Sequence, residues 1–144
     1  MGCGILKKKE SEMGKKVRAK LKEVRRKISG RDDDTRAYDS LNERISEFRK
    51  AYESEYPYES EPGYEHEDFL DWLNTYALSW EDHPKHRAKQ LLLSTGGPED
   101  GFIFYDNGDI SYWYSDWFYY KEIELTGSDY NLMKNIYDEY LSEY

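Results

Sequence analysis

Residues 90–125 read QLLLSTGGPEDGFIFYDNGDISYWYSDWFYYKEIEL, and this stretch decides the fold class. Short apolar runs alternate here with turns at Gly96–Gly101 and Asp106–Asp109. Runs of this kind, separated by Gly, Asn and Asp, are typical of antiparallel strands joined in chain order. The last run is long for one strand, so we expect a bend near Asp116 or Tyr119. The predicted strands are Gln90–Thr95, Phe102–Tyr105 and Ile110–Leu125.

Helical patterns precede and follow these strands in the sequence. From Tyr64 onward the residues of one helical face are apolar, and acidic residues stand near the start of that helix. After Thr126-Gly127 a last helix is predicted, capped by Ser128 or Asp129. The apolar residues assigned to these two helices are Phe69, Trp72, Leu73 and Tyr76, and Leu132, Met133, Ile136, Tyr140 and Leu141. The order predicts an α+β domain, α-β-β-β-α, whose small antiparallel sheet of three to four strands carries helices on one face.

The N-terminal third carries two apolar stripes at helical spacing. The first consists of Val17, Leu21, Val24 and Ile28, and Ser29-Gly30 follows it as a natural helix end. The second stripe, whose phase does not continue the first, consists of Tyr38, Leu41, Ile45, Phe48 and Tyr52. Residues 1–52 therefore predict a basic helical hairpin. Its two stripes can close on each other or on a second copy, which leaves a homodimer open.

A segment of different composition follows the predicted hairpin. Residues 53–63 contain two prolines, a glycine and four glutamates, which resists regular structure. We interpret this segment as an acidic linker. Residues 64–144 then form the acidic, aromatic-rich α+β domain.

Charge is divided unequally along the chain. Residues 1–51 hold 16 Lys and Arg against 9 Asp and Glu, whereas residues 52–144 hold 5 against 21. The acidic part of the chain excludes a protein that coats nucleic acid with a uniformly basic surface. Solvated surface charge that maintains solubility is one interpretation, and imitation of a nucleic acid toward a basic protein is the other. The acidic residues assigned to partner binding are Glu53, Glu55, Glu59, Glu61, Glu65, Glu67 and Asp68.

Seven of the nine residues in 112–120 are aromatic. If this stretch is one strand, alternation places Trp113, Trp117 and Tyr119 together on one face. These three are the predicted aromatic contacts to a partner protein, because helices are expected to cover only the other face. The alternative is a fully covered core, since a domain poor in aliphatic residues must pack with aromatic ones.

The basic N-terminal helix is a candidate nucleic-acid contact. Its candidate residues are Lys20, Lys22, Arg25, Arg26 and Lys27. An aliphatic stripe without Trp or Phe favours nucleic acid over a membrane surface. Docking on the acidic half of the chain, or on a second copy, remains open.

The sequence predicts no enzymatic activity, no cofactor and no metal site. His83 and His86 lack a third positioned ligand, and His66 is expected at the surface among carboxylates. The single cysteine, Cys3, excludes an intramolecular disulfide and a zinc site built from thiolates. No apolar run approaches the roughly 18 residues of a membrane span. Together with the absence of a signal-peptide pattern, this predicts a cytoplasmic protein in a host cell, without a membrane partner.

Four short motifs lie between residues 88 and 141: 92–98 (LLSTGGP), the Asp106-Asn107-Gly108 turn, 114–118 (YSDWF) and 125–127 (LTG). With these motifs, residues 88–141 resemble a set of small proteins from phages and mobile elements. Some small acidic proteins of such elements inhibit CRISPR effectors or restriction enzymes, and the resemblance therefore implies a host-defence inhibitor whose partner is a basic protein of such a complex. It supplies no catalytic residues. Two alternatives remain open: a nucleic-acid-binding adaptor that uses the basic helix, and an immunity protein against a basic nuclease toxin.

Overall fold

The structure, a computed structural model, describes residues 31–84 and 87–144. The chain divides into two compact units, residues 1–42 and 43–144. In the first unit the described residues, 31–42, form the beginning of helix α1 (Arg31–Glu53). The remainder of α1 belongs to the second unit, so the boundary between the two units lies within α1. The sequence instead predicts that the basic helical hairpin ends at residue 52. The first helix of the predicted basic hairpin lies outside the described residues.

The second unit combines a small hairpin, a larger sheet and helices. The hairpin consists of β1 (Tyr58–Glu61) and β2 (Tyr64–His66), and helix α2 (Phe69–Tyr76) follows it. Five antiparallel strands, adjacent in chain order, form the sheet: β3 (Ser79–Asp82), β4 (Ala88–Ser94), β5 (Glu99–Tyr105), β6 (Ile110–Asp116) and β7 (Tyr119–Glu124). Helix α3 (Gly127–Ile136) continues into a π-helical turn (Tyr137–Leu141). The α+β class and the antiparallel sheet are confirmed, but five strands replace the expected three to four.

Three segments differ from their predicted form. Strand β3 is absent from the prediction because Trp80 is the one apolar residue in Ser79–Asp82, too few to show alternation. The expected bend in Ile110–Leu125 is a complete chain reversal, since Asp116 pairs with Tyr119 across a hairpin. Within the predicted linker, residues 58–61 pair with residues 64–66. That pairing depends on contacts between the two strands, and the amino-acid composition of the segment does not predict such contacts.

The helix ends also differ in part. Helix α2 begins at Phe69, later than the predicted Tyr64, and the Asp68 carboxylate caps it by accepting the Asp71 N–H at 2.8 Å. At α3 the N-cap position is Thr126, without a side-chain capping bond, so the expected caps Ser128 and Asp129 are wrong. No helix in the described ranges combines the length and apolar character that a bilayer span requires.

Helices cover one face of the sheet, the face that carries Phe102, Phe104 and Tyr112. The Phe48 ring of α1 meets the Phe102 ring edge-on at 5.6 Å, and Tyr137 stacks on Phe104 at 5.3 Å. Each such aromatic pair stabilises the fold by about 0.5–1.5 kcal/mol beyond its buried area. Helix α1 and the π-helical turn that continues α3 therefore lie on the same side of the sheet.

The opposite face holds a smaller cluster around Trp113. Ala88, Ile103 and Trp113 are buried there, with Leu92 packed against them. Gly101 lies opposite Trp113 in the register, and a Cβ at this position would come within 2.6 Å of the Leu91 carbonyl oxygen. Glycine is therefore required at 101, because the indole and the neighbouring strand occupy the space of a side chain.

A buried ion pair connects α1 to the sheet. Asp100 is 2% exposed and accepts hydrogen bonds from Arg44 Nε at 2.7 Å and Nη2 at 2.9 Å. Ser94 and Tyr112 donate to the same carboxylate, while Arg44 Nη1 donates to the Tyr76 hydroxyl at 3.0 Å. Burial lowers the pKa of Arg44, but its bonds to Asp100 and Tyr76 outweigh burial and hold that pKa above the ordinary value. The carboxylate is thus fully partnered, which a buried charge requires.

Asp100→Asn removes the charge that opposes Arg44 and one acceptor oxygen. We expect the free energy of unfolding to fall by about 2–4 kcal/mol, because a partly buried guanidinium is left without its counter-ion. Urea denaturation followed by circular dichroism measures this change. The matched control is Asp106→Asn, whose exposed pair with Arg87 at 3.4 Å contributes less than about 0.5 kcal/mol. Equal stability of the two variants would contradict the structural role of Asp100.

Candidate binding surface

Two aromatic residues form the tip of the β6–β7 hairpin. The pairing of Asp116 with Tyr119 leaves Trp117 and Phe118 as a two-residue turn. Trp117 is 90% exposed and Phe118 is fully exposed. Single apolar residues at a surface are common, but two adjacent large rings without cover form a patch typical of contact surfaces. We call this pair the aromatic tip.

The aromatic tip carries backbone strain. Trp117 has a φ of +55°, and it is the one non-glycine residue with positive φ in the described chain. A bulky L-residue rarely adopts this conformation, and two-residue hairpin turns favour Gly, Asn or Asp there. The turn therefore holds an unfavourable residue in an unfavourable conformation with its ring in water. Both costs are consistent with a role in recognition, not in stability.

Trp113, predicted as a partner contact, is 8% exposed and belongs to the sheet. Its indole N–H donates to Gln90 Oε1 at 3.2 Å, and Gln90 donates onward to Glu81 at 3.0 Å. Tyr120 stacks on the indole at 6.1 Å. Trp113 therefore packs on the face away from the helices.

Tyr119, the third predicted aromatic contact, does not share a surface with Trp113. It is half-buried and its ring meets Tyr114 at 6.4 Å, on the face that the helices cover. The predicted grouping of three rings is wrong because the hairpin turn resets the alternation of side chains between β6 and β7. Of the three, Trp117 is the exposed residue.

An open acidic cleft lies at the other end of the sheet from the aromatic tip. It has a volume of about 390 Å³ and is lined by Tyr105, Asn107, Asp109, Ser111, Glu122 and Glu124. The Tyr105 hydroxyl donates to Glu122 at 2.6 Å, and Tyr120 donates to the same carboxylate at 3.4 Å. Burial and the Glu122 charge raise the pKa of Tyr120 to about 12, and they also raise that of Tyr105. Both phenols therefore stay neutral donors at physiological pH.

The predicted acidic contacts surround the β1–β2 hairpin. Glu53, Glu55, Glu59, Glu61, Glu65 and Glu67 are all exposed. Glu59 and Glu65 are directly opposite each other in the register, and like charges at such positions repel. Asp68 is exposed too, but its carboxylate already serves as the α2 cap. The candidate basic residues Lys20, Lys22, Arg25, Arg26 and Lys27 lie outside the described residues.

His66 occupies a different environment from the one expected. It is 2% exposed, not at the surface, and both of its ring nitrogens face polar atoms. Nε2 lies 2.9 Å from Ser60 Oγ, and Nδ1 lies 3.3 Å from Asp71 Oδ2. Sequence analysis missed this arrangement because the three residues come from β1, β2 and α2, with no motif linking them. Within residues 31–84 and 87–144, no group of three or more His, Cys, Asp and Glu residues could hold a metal ion.

A comparison of the chain with protein-family models, with curated proteins and with solved structures finds no match. The functional argument therefore rests on the sequence itself and on the chemistry of the described residues.

Trp117→Gly relieves the backbone strain of the aromatic tip. We expect the free energy of unfolding to rise by about 0.5–1 kcal/mol, because glycine adopts a positive φ without steric cost. Phe118→Gly is the matched control: this exposed residue has no positive φ, so glycine there adds only unfolded-state entropy and lowers stability slightly. Urea denaturation of both variants tests the prediction, and a loss of stability in Trp117→Gly would contradict the strain.

Proposed function

We propose that this chain is a phage or mobile-element protein that inhibits a host defence nuclease complex of the CRISPR or restriction type. It binds the basic surface with which that complex holds nucleic acid. The observation that carries the proposal is the aromatic tip, where Trp117 and Phe118 are exposed on a strained turn. Tryptophan is among the residues that most often dominate binding energy when a partner buries them.

The charge of the acidic part of the chain supports a basic partner. Residues 52–144 hold 21 acidic side chains against 5 Lys and Arg. Such an excess destabilises the compact state by self-repulsion, and the opposed Glu59 and Glu65 add to this locally. A basic surface that approaches the hairpin relieves this repulsion and accelerates association. The resemblance of residues 88–141 to small phage and mobile-element proteins supports a defence complex as the target.

The combined variant Trp117→Ala and Phe118→Ala should lose inhibition while remaining folded. Affinity for the purified defence complex should fall by about 30-fold or more, which corresponds to about 2 kcal/mol for a buried aromatic anchor. Biolayer interferometry measures the affinity, and phage plating on a defended host measures the inhibition. Leu78→Ala removes another exposed apolar side chain, 55% exposed, and serves as the matched control.

The two variants separate recognition from general surface apolarity. Loss of binding in the tip variant alone supports the proposal. If the tip variant inhibits as well as the unmodified protein, or if Leu78→Ala loses as much affinity, the aromatic tip is not the anchor.

Neutralising the glutamates of the β1–β2 hairpin should slow the association of this chain with the defence complex. In the variant E59Q/E61Q/E65Q, we expect a lower association rate and a weaker dependence of that rate on salt. Glutamine keeps an acceptor for the Gly63 N–H that Glu59 binds at 2.6 Å, so the turn is preserved. The control D82N/E124Q/E143Q changes the net charge equally at exposed positions outside the hairpin. Equal rate changes in both variants would assign the effect to net charge and contradict a specific role of the hairpin.

A gel shift with the full chain distinguishes the adaptor alternative. In the adaptor alternative, the full chain retards an oligonucleotide and the variant R25Q/R26Q/K27Q does not. That result, together with no inhibition of a nuclease complex, would contradict the proposed inhibitor.

A further inference from the structure

We propose that Ser60, His66 and Asp71 form a second functional site, a nucleophilic serine relay that cleaves carboxylic esters. Ser60 Oγ lies 2.9 Å from His66 Nε2, and His66 Nδ1 lies 3.3 Å from Asp71 Oδ2. A hydroxyl within reach of an imidazole whose other nitrogen faces a carboxylate is the diagnostic arrangement of an activated serine. This site is independent of the aromatic tip and departs from the sequence-based expectation of no enzymatic activity.

The local backbone explains how the serine reaches the histidine. The β1–β2 register shifts between Glu59 and Glu61, so Ser60 is the extra residue of a bulge. Bulges re-aim a side chain and occur often beside active sites. Ser60 is half-buried, so this residue is partly open to solvent.

The histidine is held in one orientation. His66 is 2% exposed, and the Tyr64 and Tyr58 rings lie 4.8 Å and 6.4 Å from its ring. The backbone N–H of Glu67 donates to Asp71 Oδ2 at 3.3 Å, which fixes the carboxylate at the start of α2. In the tautomer that carries its proton on Nδ1, the Nε2 lone pair of His66 faces Ser60 Oγ and accepts the serine proton.

The relay performs acyl transfer in two steps, acylation of Ser60 and hydrolysis of the acyl-serine. Ser60 Oγ bonds to the ester carbonyl carbon while its proton passes to His66 Nε2. His66 then returns that proton to the leaving alcohol as the ester C–O bond breaks. Water attacks the acyl-serine, His66 accepts the proton of that water and returns it to Ser60, and a carboxylic acid leaves. Asp71 stabilises the imidazolium.

The surroundings select the substrate charge. Glu59, Glu61 and Glu65 are exposed on the same hairpin and repel anionic substrates. The exposed Tyr64 ring offers an apolar and π-rich contact beside His66. The expected substrate class is therefore a small ester that is neutral or cationic.

A fluorophosphonate probe tests the relay on the full chain. The probe forms a bond between Ser60 Oγ and phosphorus, fluoride leaves, and the serine proton passes to His66. We expect one adduct on Ser60 by peptide mass spectrometry, none in S60A, and labelling slowed on the order of 100-fold in H66Q. D71N should slow labelling by at least about tenfold, because the orienting charge is lost. S54A is the matched control, since the Ser54 hydroxyl donates to the Lys50 carbonyl oxygen instead.

Hydrolysis of 4-nitrophenyl acetate, compared with an anionic ester of the same leaving group, supplies the second readout. Faster hydrolysis of the neutral ester, lost in S60A, supports the relay. No adduct on Ser60, labelling that S60A leaves intact, or variants that lower thermal stability without changing the labelling rate would each overturn it. Because none of these variants alters Trp117 or Phe118, failure of the relay leaves the proposed inhibition untouched.

Discussion

The fold of the second unit depends on one buried charge pair. Asp100 receives the guanidinium fork of Arg44, and the hydroxyls of Ser94 and Tyr112 complete its shell. These donors come from α1, β4 and β6, while Asp100 itself lies on β5. A shift of the helix along the sheet, or a register slip of either strand, would leave a carboxylate unpaired in the interior. The pair therefore selects one arrangement among the several that apolar contacts alone would permit.

Around that pair, packing relies on rings because aliphatic side chains are scarce. Phe48 illustrates this: its ring meets Trp72, Tyr76 and Phe102 edge-on at 5.2, 5.3 and 5.6 Å. Edge-on contacts are the favoured geometry of aromatic pairs, so these rings supply both volume and direction to the core. The abundance of aromatic residues is thus mainly structural, and the exposed pair at the aromatic tip stands out because it takes no part in this packing.

How far the sequence predicts the structure depends on the range of the interactions involved. The Asp106–Asp109 turn, the antiparallel order and the last helix were predictable, because turn chemistry and helical spacing are local signals. The burial of Trp113 was not, since it depends on Ala88 and Ile103, which two other strands bring to the same face of the sheet. His66 was misplaced for a related reason: its acidic sequence neighbours suggested the surface, yet Ser60 and Asp71 approach it from other elements. The paired residues of β1 and β2 likewise become visible only once the chain is folded.

The unfavourable features of this molecule lie apart from the interactions that hold it together. The positive φ of Trp117 and the opposed charges of Glu59 and Glu65 each cost stability, and none of these residues contributes to the shell of Asp100. A fold whose geometry is fixed by a saturated buried network tolerates such costs at its hairpins, because sites that share no partners contribute to stability almost independently. Features that reduce stability without helping the core are explained most directly by what they contact outside the chain. The two hairpins, unlike the aromatic interior, are therefore the parts of the second unit whose composition its own stability does not explain.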